Sequence, residues 1–180
     1  MKAIILCGGK GTRLGGETTT HQKCMIDVGG KPFLHYVVKK LKKAKYEIVF
    51  AVDHMAHEVI DYFDVSSRRS KHMYYFSGHG QVGAINDWFK FSEERALFVN
   101  GDTLIHNYEY DNHTVLLKEG KGLYRSAGIY YPYPIKGPYK DMDYVLADSD
   151  QTTIVFDYIM IEIGTPEGLQ YARDSKELLC

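Results

Sequence analysis

The chain opens with a strand-like run that ends in a loop suited to anions. Lys2-Ala3-Ile4-Ile5-Leu6 is continuous, apolar and partly β-branched, the pattern of a strand buried in a parallel sheet. It empties into Cys7-Gly8-Gly9-Lys10-Gly11-Thr12-Arg13-Leu14, with three glycines inside four residues. Glycine lets backbone N–H groups approach an anion with no Cβ in the way. Arg13 follows, and Lys23 stands ten residues beyond it, so two cations are available to offset negative charge. A strand feeding a glycine-rich basic loop predicts a polyphosphate site. The loop carries neither the dinucleotide spacing G-x-G-x-x-G nor the P-loop G-x-x-x-x-G-K-[ST].

Downstream, strand and helix signals alternate, which predicts an α/β sheet. Met25–Val28 leads to a Gly29-Gly30 turn, and Pro32 opens a helix. In that helix Phe33, Leu34, Val37, Val38 and Leu41 share one face. Lys39, Lys40, Lys42, Lys43 and Lys45 take the other face and read as solvated. The pattern then predicts a strand at 48–52, a helix at about 55–63, a basic turn at 66–71 and a strand at 73–76. A helix at about 81–92 and a strand at 96–99 follow. With 180 residues and no repeat or linker, one domain is expected.

Composition narrows the function. A net charge of −1 gives no electrostatic footprint for nucleic acid. The three cysteines, Cys7, Cys24 and Cys180, form no CxxC pair, which suggests a reducing compartment. No charged-then-apolar leader and no 18-residue apolar run is present, so a cytoplasmic protein without membrane contact is expected.

Asn100-Gly101-Asp102 ends the strand at 96–99. Ligands of open α/β sheets bind outside the carboxyl ends of the strands, and a carboxylate there can reach a metal. Mg²⁺ favours one or two carboxylates plus phosphate oxygens. Near the C-terminus, Thr165 and Pro166 are good N-cap and N1 residues, and Glu167 suits the positive end of a helix.

These segments resemble the nucleotidyltransferases that make nucleotide sugars. The resemblance rests on Gly8, Gly9, Gly11, Thr12, Arg13 and Lys23, which match G-G-x-G-T-R-L followed by a lysine. It is carried further by Lys31-Pro32-Phe33-Leu34, Asn100-Gly101-Asp102 and Ile161-Glu162-Ile163-Gly164-Thr165-Pro166-Glu167. It implies a single-domain Rossmann-like (GT-A-like) α/β fold, with a mixed, mostly parallel sheet flanked by helices. It also implies a nucleotide-binding part over about 1–102, an acceptor-binding part over about 103–165 and a C-terminal helix over about 166–178. The loop, with Leu6 before it, would wrap an NTP while Arg13 and Lys23 contact its phosphates. Asp102 would hold the catalytic Mg²⁺. Glu162 stands where the family usually has aspartate and would be the second metal ligand, with Asp157 as fallback.

The resemblance extends to Gly78–Ile85, where Gly80 and Gly83 match a glycine loop that contacts the base. Gln81 and Val82 replace that loop's small central residues, which leaves the base open. His79 reads as loop surface. Gly128, in Ala127-Gly128-Ile129-Tyr130, matches a strand that floors the sugar pocket, and Lys118 or Lys121 would hold the acceptor phosphate. Cys24 replaces the usual proline after Lys23. Asp102 and Gly128 are only 26 residues apart, so the acceptor region is short.

The implied reaction moves NMP from an NTP to a phosphorylated acceptor, foremost a sugar 1-phosphate, and releases pyrophosphate. Within the family the chain is most similar to the heptose- and hexose-1-phosphate guanylyltransferases of surface polysaccharides. A small non-sugar or molybdopterin-type acceptor, or a silent nucleotide-binding regulatory homologue, stays open, as does homo-oligomer formation.

Overall fold

The computed structural model describes residues 1–65, 72–110, 114–119, 123–132, 152–155 and 159–179. Its ten strands are β1 (Lys2–Cys7), β2 (Glu47–Val52), β3 (Met73–Phe76), β4 (Leu97–Asn100), β5 (Thr103–His106), β6 (Thr114–Glu119), β7 (Leu123–Ser126), β8 (Ile129–Tyr130), β9 (Thr152–Val155) and β10 (Ile159–Glu162). The helices are α1 (Glu17–Thr20), α2 (Phe33–Lys43), α3 (Ala56–Ile60), α4 (Gly80–Phe91) and α5 (Pro166–Asp174). The central sheet has the order β3-β2-β1-β4-β8. Its first three pairings are parallel, and β8 joins the edge antiparallel. Strand β10 pairs antiparallel with β5, and a separate sheet has the order β7-β6-β9. The mostly parallel α/β architecture is the expected one.

The apolar run of β1 is continuous because both of its faces are covered. Ala3 and Ile5 point into one core with Phe50, Val99 and the apolar face of α2. Ile4 points the other way, into a core with Val49, Phe98 and Val82, Ile85 and Trp88 of α4. Helices on opposite faces bring β1, β2, β3 and β4 to an end along one edge, in register. Leu6 lies beside Ala51 and Asn100, and Val52 lies beside Phe76. The loops that leave this edge build the site.

Several boundaries differ from expectation. Helix α3 continues through a π turn, Asp61–Val65, so this helical segment outruns the predicted end at 63. Around the expected Gly29-Gly30 turn, a 3₁₀ turn covers Lys23–Met25 and an isolated bridge joins Asp27 to Pro32. Lys40 leaves the solvated face of α2, since its ammonium donates to Ile105 O and its burial lowers its pKa. The basic turn at 66–71 lies outside the described residues. No helix among the described residues is long and apolar enough to cross a membrane.

Candidate active site

The glycine loop is held by neutral residues. Gln22, 1 % exposed, donates from Nε2 to Cys7 O and, at 3.4 Å, to Gly9 O. Its Oε1 accepts the Cys24 N–H at 2.6 Å, so one side chain fastens the start of the loop to its end. Thr18 Oγ1 donates to Gly11 O at 2.9 Å. Gly11 has φ +66°, and a Cβ there would lie 2.6 Å from Thr18 Cγ2, so only glycine fits. Thr12 and Arg13 stay exposed in a 3₁₀ turn, Thr12–Leu14, that buried Leu14 pins. Cys24 is packed beneath the loop; burial pushes its thiol well up, and Cys7 beside it pushes the same way.

The charged groups meet across the end of β4. Lys23 Nζ donates to Asp102 Oδ2, and Thr103 Oγ1 donates to Asp102 Oδ1 at 3.0 Å. The β5–β10 pairing sets Glu162 opposite Thr103, and Ile163 N–H donates to Asp102 O at 3.0 Å. One point shows the convergence. A Cβ on Gly164 would lie 2.7 Å from Glu162 Oε1, 3.1 Å from Lys23 Nζ and 3.5 Å from an Arg13 guanidinium nitrogen. Two cations and a carboxylate thus surround Gly164, and Asp102 is held by one of the cations. The predicted cap of α5 supports the arrangement: Thr165 Oγ1 accepts the Gly168 N–H at 3.2 Å, and Pro166 follows it.

A cavity of about 220 Å³ runs from Lys23 and Asp102, past Leu6, Gly8 and Gly9, to Asp53, Ser77 and Gly80. Its middle is fixed by Gln81 Nε2, which donates to Asn100 Oδ1 at 2.7 Å. Gly128 stands behind Asn100, with its carbonyl accepting the Asn100 N–H at 2.7 Å. At the far end Ser77 Oγ donates to Asp87 Oδ2 at 2.6 Å, and Lys90 also donates to Asp87. Burial pushes the Asp87 carboxyl up, but the bonds from Lys90 and Ser77 outweigh it and hold it below its usual value.

Residues 3–109, more than half of the chain, match the MobA-like NTP transferase domain. The chain belongs to this NTP transferase family. Among curated relatives, D-glycero-α-D-manno-heptose 1-phosphate guanylyltransferase of Campylobacter jejuni is 35 % identical over 124 residues, covering 67 % of this chain and 55 % of the relative. Glucose-1-phosphate cytidylyltransferase of Salmonella typhimurium is 54 % identical over 39 residues, 22 % of this chain and 15 % of that one. The chain therefore spans about half or less of the length of these relatives. The solved structure of HddC from Yersinia pseudotuberculosis, complexed with GMP-PN, superimposes with a TM-score of 0.72 at 21 % identity, over 97 % of this chain and 99 % of that one. At that identity the likeness is one of fold.

On this NTP transferase fold the sequence-predicted residues divide into groups. Leu6, Gly8, Gly9, Lys23, Gly80 and Asp102 line the cavity. Arg13 and Glu162 meet beside it at Gly164, and Gly11 shapes the loop. Gly83 is not among the lining residues; it is small because His79 Cβ packs against it. His79 itself is largely exposed and lies 3.6 Å from Asp87. Lys121 and Asp157 lie outside the described residues, as does the side chain of Lys118. Among the described residues no group of three or more His, Cys, Asp or Glu could hold a metal ion.

Sequence reasoning missed Gln22 and Asp53 as parts of the site, and it gave Gln81, Asn100 and Gly164 no role beyond membership of a motif. One signal for this region was present. Gly78, Gly80 and Gly83 have the G-x-G-x-x-G spacing, directly after β3 and opening α4.

Proposed function

We propose that this NTP transferase domain moves a nucleoside monophosphate from an NTP to a sugar 1-phosphate and releases pyrophosphate. The observation that carries the reading is the meeting of Arg13, Lys23 and Glu162 at Gly164, with Asp102 bonded to Lys23. The names of the relatives support a sugar phosphate as the acceptor.

The acceptor phosphate is already ionised at neutral pH, so the reaction needs positioning and charge neutralisation more than a base. Gly9 and Gly11 bring the loop backbone to the triphosphate with no side chain between. Arg13 and Lys23 offset the charge of the attacking phosphate and the departing pyrophosphate. Asp102 and Glu162 suit Mg²⁺, which takes a few carboxylates plus phosphate oxygens and supplies charge neutralisation at the α-phosphate when bound. With a cation at Asp102, the Lys23 ammonium would be released to meet phosphate. Lys121 and Gly128 belong to the acceptor side of the reading. The buried free thiols Cys7 and Cys24 fit a reducing, cytoplasmic setting.

The test is pyrophosphate release with Mg²⁺, each NTP in turn and a pool of sugar 1-phosphates. Release that depends on both substrates is expected. No release from any combination overturns the reading.

A further inference from the structure

The names of the relatives differ in their base, so kinship leaves the base of the NTP undecided. The far end of the cavity addresses that choice. Asp53 follows β2 directly and lines the cavity. A Cβ on Gly8 would lie 3.2 Å from Asp53 Cβ, and one on Gly78 would lie 3.8 Å and 3.9 Å from its two carboxylate oxygens. Asp53 therefore sits between two glycines, its Cβ toward Gly8 and its carboxylate toward Gly78, at the wall of the cavity. It is exposed, and among the described residues nothing pairs with it. Beside it begins α4, twelve residues long, whose N-cap His79 makes no side-chain bond to the first-turn N–H groups. Among the described residues no side chain caps these N–H groups, which leaves them as donors toward the cavity mouth.

Position decides which part of a nucleotide reaches Asp53. In the sheet β2 is two strands from β4. Strands lie about 4.8 Å apart, so the end of β2 is roughly 10 Å from the end of β4, the reach from an α-phosphate to a base edge. Phosphate belongs at the Arg13 and Lys23 end, because the Asp53 charge repels it from this one.

We infer that Asp53 selects guanine, on the reading that the cavity holds an NTP. A carboxylate offers two acceptors and no donor. Guanine alone among the common bases sets two N–H donors side by side, N1–H and the N2 amine. Its adjacent O6 then falls to the open N–H groups of α4. Adenine and cytosine place a ring acceptor beside their amine, and uracil and thymine flank one N–H with two carbonyls. Each of these turns a lone pair toward the carboxylate.

The experiment is calorimetric binding of GTP, ITP, XTP, UTP, CTP, dTTP and ATP to the wild type and to Asp53→Asn, with pyrophosphate release measured alongside. The wild type should bind GTP at least about tenfold more tightly than the other common nucleotides, the scale of one bidentate base contact. ITP, which lacks the N2 amine, should bind more weakly than GTP. In Asp53→Asn the GTP preference should collapse and XTP binding should rise, since a carboxamide can donate to the xanthine C2 carbonyl. Asp53 is exposed and unpaired, so the variant should melt with the wild type. Unchanged GTP preference in the variant, equal ITP and GTP binding, or preference for another base overturns the inference. Asp53-dependent GTP preference without pyrophosphate release from any NTP upholds the inference and overturns the transferase reading.

Discussion

The two ends of the cavity treat charge in opposite ways. At the β4 end, charges stand together and partner one another: Lys23 holds Asp102, and Glu162 lies beside Lys23 and Arg13. At the β2 and β3 end, Asp53 stands unpaired among glycines, while the neighbouring Asp87 is consumed by Ser77 and Lys90. Charge neutralisation needs cations kept close by an anion until a phosphate displaces it, whereas selection needs a polar group kept free until the right partner satisfies it. On the proposed reading, one end would act on every NTP alike and the other would distinguish among them.

The sharpest way to break this contrast is Asp102→Ala. Turnover should fall at least about a hundredfold with every NTP, the scale for removing one electrostatic group from a transition state. The ranking of NTPs should not change. Pyrophosphate release across the panel checks both points, and a changed ranking would merge the two ends. Gly128→Ala attacks the joint between them. Gly128 has φ +68°, and a Cβ there would lie 2.8 Å from Asn100 Nδ2. The left-handed backbone alone should cost about 1–3 kcal/mol, read as a lower melting midpoint. Displacement of Asn100 should also free Gln81.

Thr165→Ala removes the cap behind Glu162 and should cost about 1 kcal/mol in denaturant unfolding. Asp87→Asn gives the smallest effect and tests the support of the far end. The folded state holds the Asp87 carboxyl below its usual value. Its contribution is therefore complete above the unfolded pKa, about 3.9, and is lost as pH falls below it. The gap in melting temperature between wild type and variant should be constant from pH 7 to about pH 5 and narrow below about pH 4. A gap that does not narrow removes Asp87 as an ionic support.

Much of the fold was legible because it depends on local patterns. The two-faced apolar run of β1 and the single apolar face of α2 each declare their surroundings, and Thr165-Pro166 declares a helix start. Ile26 and Val28 are buried outside any named strand, a placement that a short apolar run does not reveal. The glycines and cations of the β4 end were equally legible, since they stand at close spacing in the chain. Gln22 was not, because its partners Cys7, Gly9 and Glu58 come together only when the loop closes.

The sequence by itself determined a mostly parallel α/β sheet with a glycine-rich basic loop after its first strand and carboxylates at 102 and 162. Those features follow from residue type and short-range order. Only the tertiary structure decided that Glu162 lies beside Arg13 and Lys23, through the antiparallel pairing of β10 with β5. It also decided that Asp53, an unremarked residue after the second strand, faces the same cavity as Asp102. The reason is the strand order: β2 and β4 come to flank β1 through crossovers, and that adjacency is a property of the sheet rather than of any local stretch of chain.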